Sequence, residues 1–159
     1  MLKHSALLIV DMQNDFVDPH RGTLYVKGSE HIVGTIRELR DAFTKNGCKV
    51  LYCGDAHDPE DEEFAQFPAH CVKGTWGQAI VSELRRSEDE ILVEKQKFSV
   101  FSVDYFANMM KELGIDRIFM VGVATDICVR NSATDALAHK FKVTVILDAT
   151  KSKLFNVMQ

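Results

Sequence analysis

The chain has 159 residues, enough for one domain with a sizeable buried core, so a single unit over residues 1–159 is expected. Hydrophobic residues at 46% and charged residues at 26% exclude a disordered or membrane-embedded composition. A net charge of −4, with no basic run to offset it, argues against a nucleic-acid or anionic-membrane surface.

The chain opens with "MLKHSALLIVDMQ", whose short apolar run is interrupted at Asp11. That run is too short for a signal-peptide core or a membrane span. The four cysteines (Cys48, Cys53, Cys71, Cys128) lack CxxC spacing, so free thiols in a cytoplasmic protein are expected. Strand patterns fall at "ALLIVDM" (6–12), "KVLYCGD" (49–55), "EILVEK" (90–95), "RIFMVGV" (117–123) and "KVTVILDA" (142–149). They are mostly continuously apolar, as strands covered on both faces should be. Between them, residues 31–46 place Ile32, Val33, Ile36, Leu39 and Phe43 on one helical face, and Gly47 supplies the stop. Shorter helices are predicted over 78–86, 103–113 and 126–140. This alternation implies an α/β fold: a doubly wound parallel sheet flanked by helices on both faces, in a Rossmann-like three-layer arrangement. Ten residues follow Ala149 ("TKSKLFNVMQ"), leaving little room for another helix.

Asp11, Asp55 and Lys95 each fall at or just past the carboxyl end of a predicted strand, and Cys128 follows a fourth. Ligands of open α/β sheets bind beyond those ends. Four segments therefore deliver reactive side chains to one edge of the sheet. Cys128 falls in the first turn of the helix predicted from residue 126, where the dipole and unpaired N–H groups would lower a thiol pKa from about 8.5. Gly122 and Ala124 keep the preceding turn bare enough for a carbonyl to approach. Read alone, Cys128 is equally a small buried hydrophobe. Asp11 is a candidate proton acceptor, because desolvation raises a carboxyl pKa, and equally a loop-initiating cap. Lys95 could stabilise both, with Lys97 as a rival in the same segment.

The segment "CGDAHDPEDEEFAQFPAHCVKGTWG" (53–77) holds Asp55, His57, Glu63 and His70. An Asp-x-His pair, a carboxylate and a second histidine make a mixed N/O set suited to Zn²⁺, Mn²⁺ or Fe²⁺. Acidic loop residues are otherwise commonly just solvated.

These residues resemble those of the isochorismatase-like cysteine hydrolases, and most closely the nicotinamidases (pyrazinamidases). "LLIVDMQNDFV" is similar to the family's opening strand and puts its catalytic aspartate on Asp11. "VEKQKFSVF" puts its lysine on Lys95, and "GVATDICVRNSATDA" its nucleophile on Cys128. The resemblance runs from about residue 6 to 150. It implies a cis peptide before Ala124 and an oxyanion hole made by the N–H groups of Ala124 and Cys128. It also implies one divalent ion on Asp55, His57, Glu63 and His70, zinc first and iron or manganese next, and aromatic substrate contacts from Phe16 and Phe67. The implied activity converts nicotinamide to nicotinic acid and ammonia, a step of NAD salvage. The small amide would be the partner, and a homo-oligomer is left open. The segment "QKFSVF" after Lys95 lacks the glycine common among nicotinamidases.

The rival within the family is a metal-independent hydrolase of another small amide, carbamoyl compound or vinyl ether. A phosphohydrolase with Asp11 as nucleophile and Mg²⁺ would want an aspartate two residues later, where Gln13 stands. A nucleotide-binding scaffold would want GxGxxG or GxxxxGK[ST], and neither occurs.

Overall fold

The computed structural model describes residues 2–153. Its sheet contains β1 (Ser5–Val10), β2 (Lys49–Asp55), β3 (Ile91–Lys95), β4 (Arg117–Val123) and β5 (Lys142–Lys151). All neighbouring strands run parallel, in the order β3-β2-β1-β4-β5. The expected doubly wound α/β architecture is therefore present. The central strand β1 is buried at every position, and its side chains alternate between two apolar cores, with Leu7 and Ile9 in one and Leu8 and Val10 in the other.

The helices are α1 (Asn14–Val17), α2 (Val33–Lys45), α3 (Phe106–Glu112) and α4 (Arg130–Ala138). The predicted span 31–46 is realised as α2 behind a 3-10 turn, Ser29–Ile32. The helix predicted over 78–86 does not form; only 3-10 turns at Trp76–Gln78 and Ser82–Leu84 appear. The backbone there pairs elsewhere. The Val81 N–H donates to the Met12 carbonyl and the Asn14 N–H to the Ala79 carbonyl, while Ile80 bridges Gln13. The span 103–113 shortens to α3, because Ser99 accepts from the Phe101 N–H and holds the preceding residues in a separate 3-10 turn. The span 126–140 divides into a π-helical turn, Thr125–Val129, and then α4. β5 runs on to Lys151, and residues 154–159 of the tail lie outside the described residues.

The chain winds outward through β1, β2 and β3, then crosses back to place β4 and β5 on the other side of β1. The direction of winding reverses between β1 and β4, so the ligand crevice is expected above those two carboxyl ends. Two backbone features open it. Asp11 adopts φ 53°, turning the chain off β1. Gly122 has φ 110°, and a Cβ there would lie 2.1 Å from the Val10 carbonyl oxygen, so only glycine fits against β1. Among the described residues no helix is long and apolar enough to cross a membrane.

Candidate active site

Sheet register brings the first three groups together. Asp55 and Lys95 are Cα partners at the ends of β2 and β3, and Asp11 follows the adjacent end of β1. Lys95 Nζ donates to Asp11 Oδ2 at 3.1 Å, to Asp55 Oδ1 at 2.6 Å, to the Lys97 carbonyl at 3.1 Å and to Cys128 Sγ at 3.6 Å. Lys95 is 2% exposed, and Asp11 and Cys128 are buried beside it. Lys97, the rival lysine, points outward to Glu62.

Burial pushes the Asp11 carboxyl up to about 7, against the opposing pull of Lys95 and with the help of Asp55. Its Oδ1 is buried without a hydrogen-bond partner, an acceptor left open. Burial likewise raises the Cys128 thiol well above its ordinary value, assisted by Asp11 and opposed by Lys95. The expected lowering by a helix N-terminus is not found. Cys128 sits in a buried π-turn that continues into α4, and desolvation beside two carboxylates outweighs any dipole. The resting group is therefore a thiol. The Lys95 ammonium is held well above its usual range, its desolvation outweighed by Asp11 and Asp55.

The four candidate metal ligands also converge, all within 4.8 Å of one another. His57 Nε2 lies 3.3 Å from Asp55 Oδ2 and 3.2 Å from Glu63 Oε2; His70 Nε2 lies 3.6 Å and 3.2 Å from the same two oxygens. Tetrahedral ligands about 2.1 Å from an ion stand about 3.4 Å apart, so four of the six edges already suit zinc. The imidazoles are oriented from behind. Nδ1 of His57 faces Asp61 Oδ2 at 2.9 Å, and Nδ1 of His70 donates to the Pro68 carbonyl at 2.7 Å, which turns each Nε2 inward. Protons compete with a cation for these nitrogens. Burial disfavours charge on His70, but the hydrogen bonds to Asp55, Glu63 and the Pro68 carbonyl outweigh it and push the imidazole up to about 10. The donor set fits a divalent cation, which would displace those protons. Asp61→Asn is expected to weaken metal affinity about 10- to 100-fold while leaving all four ligands in place, as competition against a chelating dye would show.

One cleft joins the two clusters, lined by Asp11, Cys128 and Ala124 on one hand and by Asp55, Glu63 and His70 on the other. Phe16 and Phe67 both line it, their rings 5.5 Å and 6.4 Å from that of His70. The peptide bond between Val123 and Ala124 is cis, as the resemblance implies. A model of the isochorismatase domain matches residues 5–154. The chain belongs to the isochorismatase family.

Other members show how wide the family's chemistry is. A probable inactive nicotinamidase from Arabidopsis thaliana is 31% identical, the match covering 93% of this chain and 81% of that protein. The structure of a pyrazinamidase from Pyrococcus horikoshii in complex with zinc superposes with TM-score 0.88 at 31% identity, over 94% of this chain and 87% of that one. An N-carbamoylsarcosine amidase from Thermoplasma acidophilum superposes with TM-score 0.87 at 32% identity, over 94% and 85%. This isochorismatase-family fold thus carries more than one amide chemistry, and the side chains around the cleft must decide between them.

Several residues of the site were not singled out by sequence reasoning. Gln13 is buried and clamps Asp55 through both peptide groups, accepting from its N–H at 2.9 Å and donating to its carbonyl at 2.8 Å. Asp15 accepts from the Cys71 N–H at 2.8 Å and so fixes the backbone beside His70. Both lie in the "DMQNDFV" run, where their positions are visible and their long-range partners are not. Phe98 and Lys153 complete the cleft wall. No local pattern marks either one.

Proposed function

We propose that the protein hydrolyses nicotinamide to nicotinic acid and ammonia through a thioester on Cys128. The observation that carries this reading is the two-sided use of Asp55, one oxygen on Lys95 beside the thiol and the other in the four-ligand cluster. A metal held by Asp55, His57, Glu63 and His70 would supply a Lewis-acid point for the pyridine nitrogen, with Phe16 and Phe67 flanking the ring.

Asp11 accepts the Cys128 proton as the sulfur attacks the carboxamide carbon, because a thiol with so high a pKa does not ionise in advance. The developing oxyanion takes the N–H groups of Ala124 and Cys128. Asp11 returns the proton to the departing amine, and the C–N bond breaks to release ammonia. A water deprotonated by Asp11 then attacks the thioester, freeing the acid and restoring the thiol. Lys95 keeps its charge throughout and balances Asp11 and Asp55. Asp11, Lys95 and Cys128, the three residues this route needs, are all in contact through Lys95. A cytoplasmic role in pyridine-nucleotide salvage follows from this reading, and four free thiols suit a reducing compartment.

Ammonia release from nicotinamide is the test, measured on zinc-, iron- and manganese-loaded protein and again after chelation. Turnover that falls at least tenfold on chelation and returns with metal is expected. Equal turnover of nicotinamide with and without metal would transfer the assignment to a metal-independent hydrolase of another small amide or carbamoyl compound.

A further inference from the structure

The carboxylate that serves both halves of the site ends a strand that has lost its neighbour. β1 and β2 pair as far as Val10 and Cys53, and the Asp11 N–H still reaches the Cys53 carbonyl at 2.9 Å. At Asp11 the chain turns off the sheet. On the other flank the ladder continues, with the Ala56 N–H donating to the Lys95 carbonyl at 2.9 Å. The N–H and C=O of Asp55 face the vacated side, and Asp55 is buried, so leaving them unpaired would be costly. Packing does not hold this end of β2 either. A cavity of about 210 Å³ is lined by Asp55 itself together with Gln78, Ile80, Leu92 and Glu94.

Gln13 takes the place of the missing strand. Its Oε1 accepts from the Asp55 N–H at 2.9 Å, and its Nε2 donates to the Asp55 carbonyl and the Gln78 carbonyl, both at 2.8 Å. Only one orientation of the amide satisfies all three bonds, since a flipped one would set an oxygen against two carbonyls. The residue is 1% exposed, and its backbone is anchored by the bridge to Ile80. Gly54 leaves room for the amide, because a Cβ there would stand 3.0 Å from Gln13 Cδ and Nε2. What the amide holds is the peptide from which the Asp55 side chain departs. With that peptide fixed, Oδ1 lies 2.6 Å from Lys95 Nζ while Oδ2 lies 3.3 Å and 3.6 Å from the two imidazole nitrogens. A rotation that tightened one contact would withdraw the other.

We propose that Gln13 is a positioning residue: by holding the Asp55 peptide it sets both oxygens of that carboxylate at once, one toward a divalent cation and one toward Lys95. The kinetic part of the proposal rests on the metal-dependent amide-hydrolase reading; the metal-binding part does not.

The affinity experiment uses zinc alone. Competition against a chelating dye is expected to show zinc held about 10- to 100-fold more weakly by Gln13→Met than by the native protein. Gln13→Glu, equal in size, should weaken it as much, because it offers at most one hydrogen to the two carbonyls. Asn14→Ala removes a neighbouring 2.8 Å bond to the Trp76 carbonyl without touching Asp55. It should stay within about twofold of native. A second experiment separates positioning from stability. At saturating cobalt the native protein should show the strong visible absorption of a four-coordinate ion, and Gln13→Met a weaker or shifted band. A residue that only stabilised the fold would leave that band unchanged, because the saturated, folded fraction would present native ligands. In turnover at saturating metal, Gln13→Met should lower kcat about 10- to 100-fold with a smaller change in KM, through the displaced contact to Lys95. Native zinc affinity and a native cobalt spectrum in both Gln13 variants would overturn the proposal. An altered spectrum in Gln13→Met, with no amide turnover by the native protein, would support the positioning of Asp55 and sink the hydrolase reading instead.

Discussion

Replacing Cys128 by alanine is expected to lower amide turnover by about four to six orders of magnitude while leaving the fold and the metal cluster in place. Removing the nucleophile of a covalent catalyst typically costs that much, because the base and the oxyanion donors have nothing left to activate. The substitution is small and fits its surroundings, since alanine fills most of the volume that the buried thiol leaves. Retained metal stoichiometry and an unchanged thermal midpoint would show that the loss is chemical. The pH profile of the native enzyme carries a further expectation. Asp11 must be ionised to accept the thiol proton, and burial holds its carboxyl up to about 7, so kcat/KM should rise with pH through an apparent pKa near neutrality. Asp11→Asn removes the acceptor and should abolish the rise along with the activity. Turnover by Cys128→Ala within a factor of ten of native would exclude the thioester route.

How much of this site can be read from residues alone depends on the distance over which each partner acts. The strands are legible because they are largely continuous apolar runs, β1 buried at every position and β2 and β4 at most of theirs, and β2 and β4 match their expected bounds, 49–55 and 117–123. Asp11, Asp55 and Lys95 are legible for a related reason, since a charged residue ending such a run marks the carboxyl end of a parallel strand. The segment 78–86 is misread because its fate is decided at long range. Its backbone groups are taken by Met12, Gln13 and Asn14, some 65 residues earlier, and helical periodicity cannot register that competition. The thiol pKa is misread in the same way. A cysteine after a strand-to-helix turn suggests a dipole-stabilised thiolate, but the sign is set by Asp11 and by burial, both products of tertiary packing. Lys153 illustrates the limit most plainly. It is one lysine in "TKSK", and only the juxtaposition of β5 with the turn at Asp126 brings it to the cleft.

The second large effect is expected at Lys95, where Lys95→Met should cost about 3–5 kcal/mol of stability in addition to activity. Methionine preserves the length and most of the volume of the side chain, so packing alone would cost far less. What disappears is the one cation between two buried carboxylates, Asp11 at 3.1 Å and Asp55 at 2.6 Å, in a place water does not reach. In the native protein Asp55 is held well below the ordinary carboxylate range, the pull of Lys95 and the imidazoles outweighing its burial. Its contribution is therefore present above the unfolded pKa and is lost only as pH falls through the depressed folded value. The raised Lys95 contributes below its unfolded pKa and loses that contribution only in strong alkali. Without the ammonium Asp11, already raised in the native protein, would be raised further, and Asp55 would keep only the imidazoles to hold it down. Asp11 would then bind its proton still more tightly folded than unfolded, so the variant should lose more stability than the native protein as pH rises from about 4 toward 8. Urea unfolding of chelator-treated protein at pH 5 and pH 8 reads this directly, with the larger loss at pH 8. Adding Asp11→Asn to Lys95→Met removes one of the stranded charges and should recover part of the loss, so that the double variant is more stable than the sum of the singles requires. Equal losses at both pH values, with strict additivity in the double variant, would mean that the ammonium fills space at this position and does not balance charge.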